Sequence, residues 1–259
     1  MALIRVAIRA GAKGLTVISP ISAGIPADLL IAAGCVDTYY NSYTGLEFLG
    51  FAPAFRRAGE TGSIKIIQGD EAFHYLGIKA AAAGLPFMAV QQLYEGTDLP
   101  KVNPFLRTIK DPYSGREVTT IPPLKLDIFL CHVQRADEFG NCQIWGGTRM
   151  YEDWIKAAGR VIVSTDELMP VEKTRQEPEK TWITGWQVDA VVHVPYGAHP
   201  TSSPGLYAYD EEHLRLYRDL VARDSGKEYL SRFVFEPRDH YEYLERIGLR
   251  KLLELQCVV

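Results

Sequence analysis

A polar segment directly after an apolar run contains the first residues that could do chemistry. Residues 128–133 have the length and composition of a strand buried on both faces. Asp137 follows, and Gly140-Asn141 is a turn dipeptide whose residues tolerate positive φ. Ligands bind at the carboxyl ends of strands in open α/β sheets, so we expect Asp137, Gly140 and Asn141 to line a binding site. The alternative is an ordinary hairpin in which Asp137 only caps the turn.

A second candidate segment, Gly197-Ala198-His199-Pro200, follows the apolar run at 188–194. Glycine at position 197 lets the backbone approach a ligand closely, and His199 could donate to a phosphate, a carboxylate or a thioester oxygen. If this strand runs parallel to the first, the loop lies at the same sheet edge as Asp137. We therefore expect Gly197, Ala198 and His199 to contribute to the same site. A rigid proline-bounded loop with a structural His199 is the alternative.

The third candidate is Glu71, which follows the predicted strand at 64–67 through Gly69-Asp70. Asp70 caps the next helix and Glu71 lies in its first turn, where the helix dipole alone stabilises a carboxylate. If desolvation raised its pKa, Glu71 could act as a general base or a nucleophile. We expect it near the same rim as the other two segments.

Composition excludes several other classes of function. The net charge of -4 gives no indication of nucleic-acid binding, and no apolar run approaches the length of a membrane span. The segment at 1–9 is too short and too charged for a signal peptide, so we expect a cytoplasmic protein. No nucleophile elbow, dinucleotide fingerprint or P-loop occurs, and neither a metal site nor a bound cofactor is expected. Cysteines lack CxxC spacing and are predicted to be free, mostly buried thiols: Cys35, Cys131, Cys142 and Cys257.

Strand and helix patterns alternate along most of the chain. This alternation predicts an α/β fold with an open, mostly parallel sheet, helices on both faces and a helical C-terminal segment, in one domain spanning 1–259. A helix is predicted at 1–9 with Arg5 opposite its apolar face. The polar stretch 93–117 is longer than a usual connection and is expected to be a lid or a partner contact. Capping boxes are predicted at Ser225/Glu228 and Asp239/Glu242.

Three motifs in order identify a family. The ADxxGN sequence at 136–141 resembles a signature of the A subunit of family I coenzyme A transferases, within the glutaconate CoA-transferase A-subunit group. The likeness continues through PYGAHP at 195–200 and DEEHL at 210–214. It covers nearly the whole chain, from residue 1 to about residue 245.

The resemblance implies a NagB/RpiA/CoA transferase-like fold and a heteromer, two A with two B subunits, that uses a coenzyme A thioester as substrate. In such enzymes the catalytic glutamate lies on the B subunit, and it conserves the thioester's free energy by forming covalent intermediates. The A subunit supplies pocket walls and oxyanion donors. On this chain the wall residues would be Asp137, Gly140, Asn141, Gly197 and His199.

The chain departs from the family pattern at its front, and this departure leaves alternatives open. Relatives typically begin with a strand and a glycine-rich loop that have no counterpart before Met1. Either the start codon is assigned too late, or the protein lacks this oxyanion loop, which would leave an unpaired strand edge or an apolar groove. Related ring-opening hydrolases place a working glutamate in a similar Asp-Glu step, so a hydrolase with Glu71 as base is the second hypothesis. A non-catalytic scaffold subunit is the third, and a sugar-phosphate isomerase of similar architecture is the fourth.

Overall fold

The computed structural model describes residues 1–19, 22–146 and 151–257. Its strands, in chain order, are β1 (Leu15–Ile18), β2 (Ser22–Ala23), β3 (Val36–Asn41), β4 (Tyr43–Thr44), β5 (Lys65–Gln68), β6 (Met88–Val90), β7 (Arg107–Lys110), β8 (Glu117–Ile121), β9 (Leu126–Asp137), β10 (Cys142–Gln143), β11 (Ala158–Met169), β12 (Thr181–Ile183) and β13 (Ala190–His193). Its α-helices are α1 (Ala2–Arg9), α2 (Ile25–Ala32), α3 (Pro53–Thr61), α4 (Glu71–Ala82), α5 (Leu99–Val102), α6 (Tyr151–Ala157), α7 (Val171–Gln176), α8 (Glu211–Asp224), α9 (Lys227–Leu230), α10 (His240–Ile247) and α11 (Leu249–Glu254).

Two sheets organise the fold, and together they confirm the α/β class. The first is parallel, in the order β1-β3-β5, and the second is mixed, in the order β12-β10-β9-β11-β13. In the second sheet β9, β11 and β13 are parallel, whereas β10 runs antiparallel to both of its neighbours, β9 and β12. Among the described residues the strands are therefore split between sheets, where a single open sheet was expected. That the chain forms one domain stays a prediction.

The apolar run at 128–133 is only half buried, which corrects the prediction of burial on both faces. Phe129 and Val133 are buried in the core formed with α4 and α6. Their neighbours on the opposite face, Ile128 and Leu130, are 54% and 36% exposed. Side chains alternate across a strand, so one face of β9 packs on helices while this part of the other face has no cover within the described chain.

The polar stretch 93–117 contains more structure than a lid. Helix α5 lies within it, and β7 pairs with β8 as a hairpin in a small antiparallel sheet with β6. An Asp111 turn joins the two strands, because its carboxylate accepts hydrogen bonds from the Tyr113 and Ser114 amides. The short β-strand pattern in this stretch escaped the sequence analysis.

The C-terminal helices are confirmed, but of the two predicted capping boxes only one half forms, the N-cap at Asp239, because the Glu242 carboxylate accepts from the Arg238 amide instead. Asp239 accepts a hydrogen bond from the Glu242 amide at 2.9 Å and begins α10. The Ser225/Glu228 capping box is wrong, since Ser225 has φ +66° and ends α8. Asp224 instead accepts the hydrogen bond from the Glu228 amide.

Helix α1 forms where it was predicted, but Arg5 points inwards. Its side chain is buried, 3.6 Å from the centre of the Tyr243 ring, and donates to the His199 carbonyl. The face opposite the predicted apolar side is therefore buried at Arg5 as well. Aromatic faces attract guanidinium groups, so the cation is accommodated among the C-terminal helices.

Candidate functional site

The Asp137 carboxylate holds the ADxxGN turn together from inside the fold. It is fully buried, and its Oδ1 accepts hydrogen bonds from the Phe139 amide at 3.0 Å and the Asn141 amide at 2.9 Å. Its Oδ2 accepts from Asn141 Nδ2 at 2.8 Å and from Thr174 Oγ1 at 2.9 Å. All the hydrogen-bonding directions of this carboxylate are used internally, so its present role is to fix the turn and to attach α7 to it.

Gly140 and Asn141 connect this turn to the next loop. Gly140 has φ +87°, and a β-carbon there would lie 3.1 Å from Val188 Cβ. Asn141 Oδ1 accepts a hydrogen bond from the Gly185 amide at 2.9 Å. Glycine is needed at 140 for both conformation and space, and the Asn141 side chain bridges two loops.

Two surface grooves flank the turn, as a pocket wall requires. One, of about 490 Å³, is lined by Arg135, Trp145 and Trp182 among others. The other, of about 480 Å³, lies between Phe139, Asn141 and the segment that includes α7. In the sequence, Trp145-Gly146-Gly147 suits either a pocket wall or the core, and Gly147 lies outside the described residues.

His199 is buried and hydrogen-bonded within the protein, and it is not an exposed donor. Its ring has no solvent exposure, its Nδ1 lies 2.6 Å from the Tyr243 hydroxyl and its Nε2 lies 3.2 Å from Asp210 Oδ2. Burial lowers the pKa of His199 despite the nearby Asp210 carboxylate. Both ring nitrogens have partners inside the protein, so in this arrangement His199 positions its loop.

Gly197 and Ala198 pack against a polar cluster that the sequence analysis missed. His132 Nε2 lies 2.8 Å from Asp166 Oδ2, and His132 Nδ1 lies 2.9 Å from Ser164 Oγ. Tyr207 donates a hydrogen bond to Asp166 Oδ1 at 3.1 Å and accepts one from the Ala198 amide at 3.0 Å. The sequence contains one indication of this cluster, because His132 is the one polar residue in the apolar run 128–133.

Ser164, His132 and Asp166 resemble a nucleophilic triad only in the distances between their polar atoms. Ser164 is 1% exposed and also donates to the Cys131 carbonyl at 3.3 Å. A triad serine must reach an electrophile, and this one is sealed between two paired strands. The cluster therefore ties β9 and β11 to the loop at 195–200.

Glu71 lies at the start of α4, as predicted, but it is exposed. Within the described chain it forms no hydrogen bond or ion pair. Desolvation, which the hypothesis of a general base required, is therefore lacking in this chain by itself. A partner surface over α4 would be needed to supply it.

The three predicted segments lie in separate clusters of contacts. Thr165 of β11 pairs with Val133 of β9 on one side and with His193, the last residue of β13, on the other. Asp137 therefore lies four residues further along β9 than the end of β13. Glu71 follows β5 in the other sheet. No hydrogen bond or ring contact within the described residues joins Asn141, His199 and Glu71. Their convergence on one rim stays a prediction.

Neither a metal-binding cluster nor a membrane-spanning helix is found within residues 1–19, 22–146 and 151–257. No cluster of three or more His, Cys, Asp or Glu side chains there could hold a metal ion. None of the helices in those ranges combines the length and apolar character that crossing a bilayer requires.

Comparison with known proteins assigns the class. A family model described as Coenzyme A transferase matches residues 1–194, about three quarters of the chain. The chain therefore belongs to the coenzyme A transferase family.

Within that family the chain is similar to A subunits. The A subunit of glutaconate CoA-transferase from Acidaminococcus fermentans is 34% identical over 256 residues, covering 92% of this chain and 79% of that protein. The crystal structure of that organism's glutaconate coenzyme A-transferase superposes with a TM-score of 0.92 at 32% identity, covering 99% of this chain and 86% of that one.

Two further relatives define the range of the similarity. An uncharacterized protein of Archaeoglobus fulgidus is 43% identical over 95% of this chain, but the chain spans only 55% of its length. The cholesterol ring-cleaving hydrolase IpdA subunit of Rhodococcus jostii is 30% identical over 93% of this chain and 84% of that protein.

Proposed function

We propose that this chain is the A subunit of a cytoplasmic, heteromeric CoA-transferase that moves coenzyme A between an acyl-CoA and a carboxylate. The observation that carries the proposal is the similarity to the A subunit of glutaconate CoA-transferase across almost the entire chain, in sequence and in fold. A catalytic glutamate on a B subunit attacks the thioester, and two A with two B subunits form the assembly.

The geometry of two loops supports a role for this chain in the site. Asp137, Gly140 and Asn141 hold one turn, while Gly197, Ala198 and His199 hold another through buried contacts. Loops held in this way keep the wall of a site in place without reorganisation during the reaction. We propose that these two loops form the A-subunit side of a site shared with the partner.

The test is reconstitution. The chain is co-expressed with the product of a neighbouring gene for a similar α/β subunit, purified as a complex and assayed for exchange of coenzyme A between an acyl-CoA and a labelled carboxylate. We expect transfer from the complex and none from either polypeptide alone. Thioester hydrolysis without transfer would refute the transferase in favour of a hydrolase.

The hydrolase remains the second candidate because of one relative and one side chain. A ring-cleaving hydrolase subunit is similar over most of the chain, and Glu71 is an exposed carboxylate for which the described residues provide no partner. In this alternative, a partner surface desolvates Glu71 and turns it into a base. Glu71→Gln in the reconstituted complex decides: unchanged transfer kinetics exclude the role of Glu71, and loss of hydrolysis supports it.

A further inference from the structure

Two side chains from distant parts of the sequence hold backbone carbonyls of the loop at 195–200. The His199 carbonyl accepts a hydrogen bond from Arg5 Nη1 at 3.2 Å, and the Pro195 carbonyl oxygen lies 2.7 Å from His240 Nε2. Arg5 belongs to α1, whereas His240 is the first residue of α10. The two contacts therefore fix the loop on both sides of its glycine.

Arg5 and His240 also contact each other, and the geometry defines which atoms donate. A carbonyl oxygen carries no proton, so His240 Nε2 is the donor to Pro195. Burial lowers the pKa of His240 to about 4, so at neutral pH the ring is uncharged and its Nδ1 is an acceptor. Arg5 Nη2, at 3.4 Å from this Nδ1, is the donor. Arg5 thus reaches His199 directly and Pro195 through His240.

Stability gives a weak reason for an arginine at this position. Arg5 is 2% exposed, and within the described chain it forms no ion pair. Its guanidinium lies 3.6 Å from the centre of the Tyr243 ring. An aromatic face and two uncharged acceptors at best offset the cost of taking a guanidinium out of water, and apolar residues of similar volume are often as stable in such places. The hydrogen bonds of Arg5 converge instead on one loop.

We propose that Arg5 is a positioning residue for coenzyme A transfer, and that it acts by holding the loop at 195–200 through the His199 carbonyl and through His240. This inference rests on the proposed function, in which the loop forms part of the A-subunit side of the site. Displacing a site wall slows the reacting step strongly, whereas contacts to remote parts of an acyl-CoA persist. Loss of Arg5 should therefore lower kcat and leave KM nearly unchanged.

Arg9 offers a matched control in the same helix. It lies one turn after Arg5 and also donates to backbone carbonyls, those of Val234 at 3.3 Å and Pro237 at 3.5 Å, but neither belongs to the loop. Arg5→Met and Arg9→Met remove the same group from the two positions and keep a similar side-chain volume. Arg5→Lys retains the positive charge and one donor group.

The first measurement is amide hydrogen exchange, followed by NMR on the full-length chain without a partner. Within or next to the loop, the amides of Ala198, His199 and Thr201 are hydrogen-bonded. In Arg5→Met we expect them to exchange about tenfold faster, while the amides of α8 and the urea midpoint change little. Unchanged exchange in the loop would overturn the proposal. Faster exchange throughout the chain with a lower urea midpoint would overturn it in favour of a structural role.

A second variant keeps this test decisive if Arg5→Met does not fold. His240→Phe retains a ring that can stack on Tyr243, as the imidazole does at a centroid distance of 6.0 Å, and it removes the hydrogen bonds to Pro195 and Arg5. We expect faster exchange in the same loop. Exchange equal to that of the wild type would refute the role of this pair in holding the loop.

The second measurement is steady-state transfer by the reconstituted complex. For Arg5→Met we expect kcat about tenfold lower with KM within about twofold of the wild type, and for Arg5→Lys a partial recovery of kcat. Arg9→Met should behave as the wild type. An unchanged kcat in Arg5→Met, or a loss confined to KM, would overturn the proposal. If the wild-type complex transfers no coenzyme A, the proposed function fails, and exchange in the loop still decides whether Arg5 holds it.

Discussion

The His132 ring occupies the space into which a side chain at Gly197 would project. A β-carbon at position 197 would lie 2.7 Å from His132 Cε1 and 2.7 Å from the Val194 carbonyl oxygen. The glycine of the PYGAHP motif is therefore required by a strand residue that is far earlier in the chain. This contact is how the loop at 195–200 is held against β9.

Replacing this glycine should destabilise the fold. Gly197→Ala forces the His132 ring and the backbone apart, and overpacking of this kind costs roughly 1–3 kcal/mol. Urea unfolding followed by circular dichroism measures it. Gly59→Ala is the matched control, because a β-carbon in α3 would meet Ile66 Cδ1 at an ordinary 3.5 Å. Equal stability of Gly197→Ala and the wild type would mean that the ring and loop move apart freely.

The Asp137 carboxylate should contribute more to stability than to any direct contact with substrate. Asp137→Ala leaves several buried donors without an acceptor, and we expect a loss of about 3 kcal/mol or more. Thr174→Val removes only one of the hydrogen bonds to this carboxylate and should cost about 1 kcal/mol. The two free energies of unfolding are compared under identical conditions. If both variants lost the same free energy of unfolding, Asp137 would not be the residue that holds the turn together.

Stability should fall as the pH drops below the ordinary histidine range. Burial lowers the pKa of His213 to about 3 and that of His240 to about 4, from 6.5. The folded state keeps both rings neutral, so their contribution is complete above about pH 6.5 and is lost as the pH falls towards these lower values. Each residue can add up to about 1.4 kcal/mol per pH unit to the slope.

Unfolding free energies between about pH 7.5 and pH 5 test this dependence. His240→Asn should flatten the slope, while His193→Asn, at an exposed ring, should leave it unaltered. If the free energy of unfolding of the wild type did not change over this range, the rings of His213 and His240 would be protonated in the folded state without loss of stability.

The thiols should differ sharply in reactivity. Burial raises the pKa of Cys131 to about 12 and also raises the pKa of Cys35 and of Cys142, so little thiolate is present at neutral pH. Cys257 is exposed and is the exception among the described cysteines, which were expected to be free and mostly buried. A thiol reagent added to the native protein should modify Cys257 first, and Cys257→Ser should remove the fast phase. A fast phase that persists in this variant would place a reactive thiol in the core.

Sequence patterns predicted the local elements well, because their causes are local. Asp70 accepts a hydrogen bond from the Phe73 amide at 2.7 Å and begins α4, as its position before an acidic first turn indicated. Period and composition likewise located β5, β9, β13 and the C-terminal helices. The prediction at Ser225 failed because serine and glutamate at cap spacing also suit the end of one helix before the start of another.

The sequence by itself determined the family, the α/β class and the candidate turns, since motifs, caps and apolar runs depend on neighbouring residues. Only the tertiary structure decided which candidates point into the fold: Asp137 and His199 are satisfied internally, Glu71 faces solvent and Arg5 is buried on Tyr243. It also brought His132, Asp166 and Tyr207 together from three distant parts of the chain. The physical reason is that burial and hydrogen-bond partners are set by contacts between remote segments, and no local pattern records them.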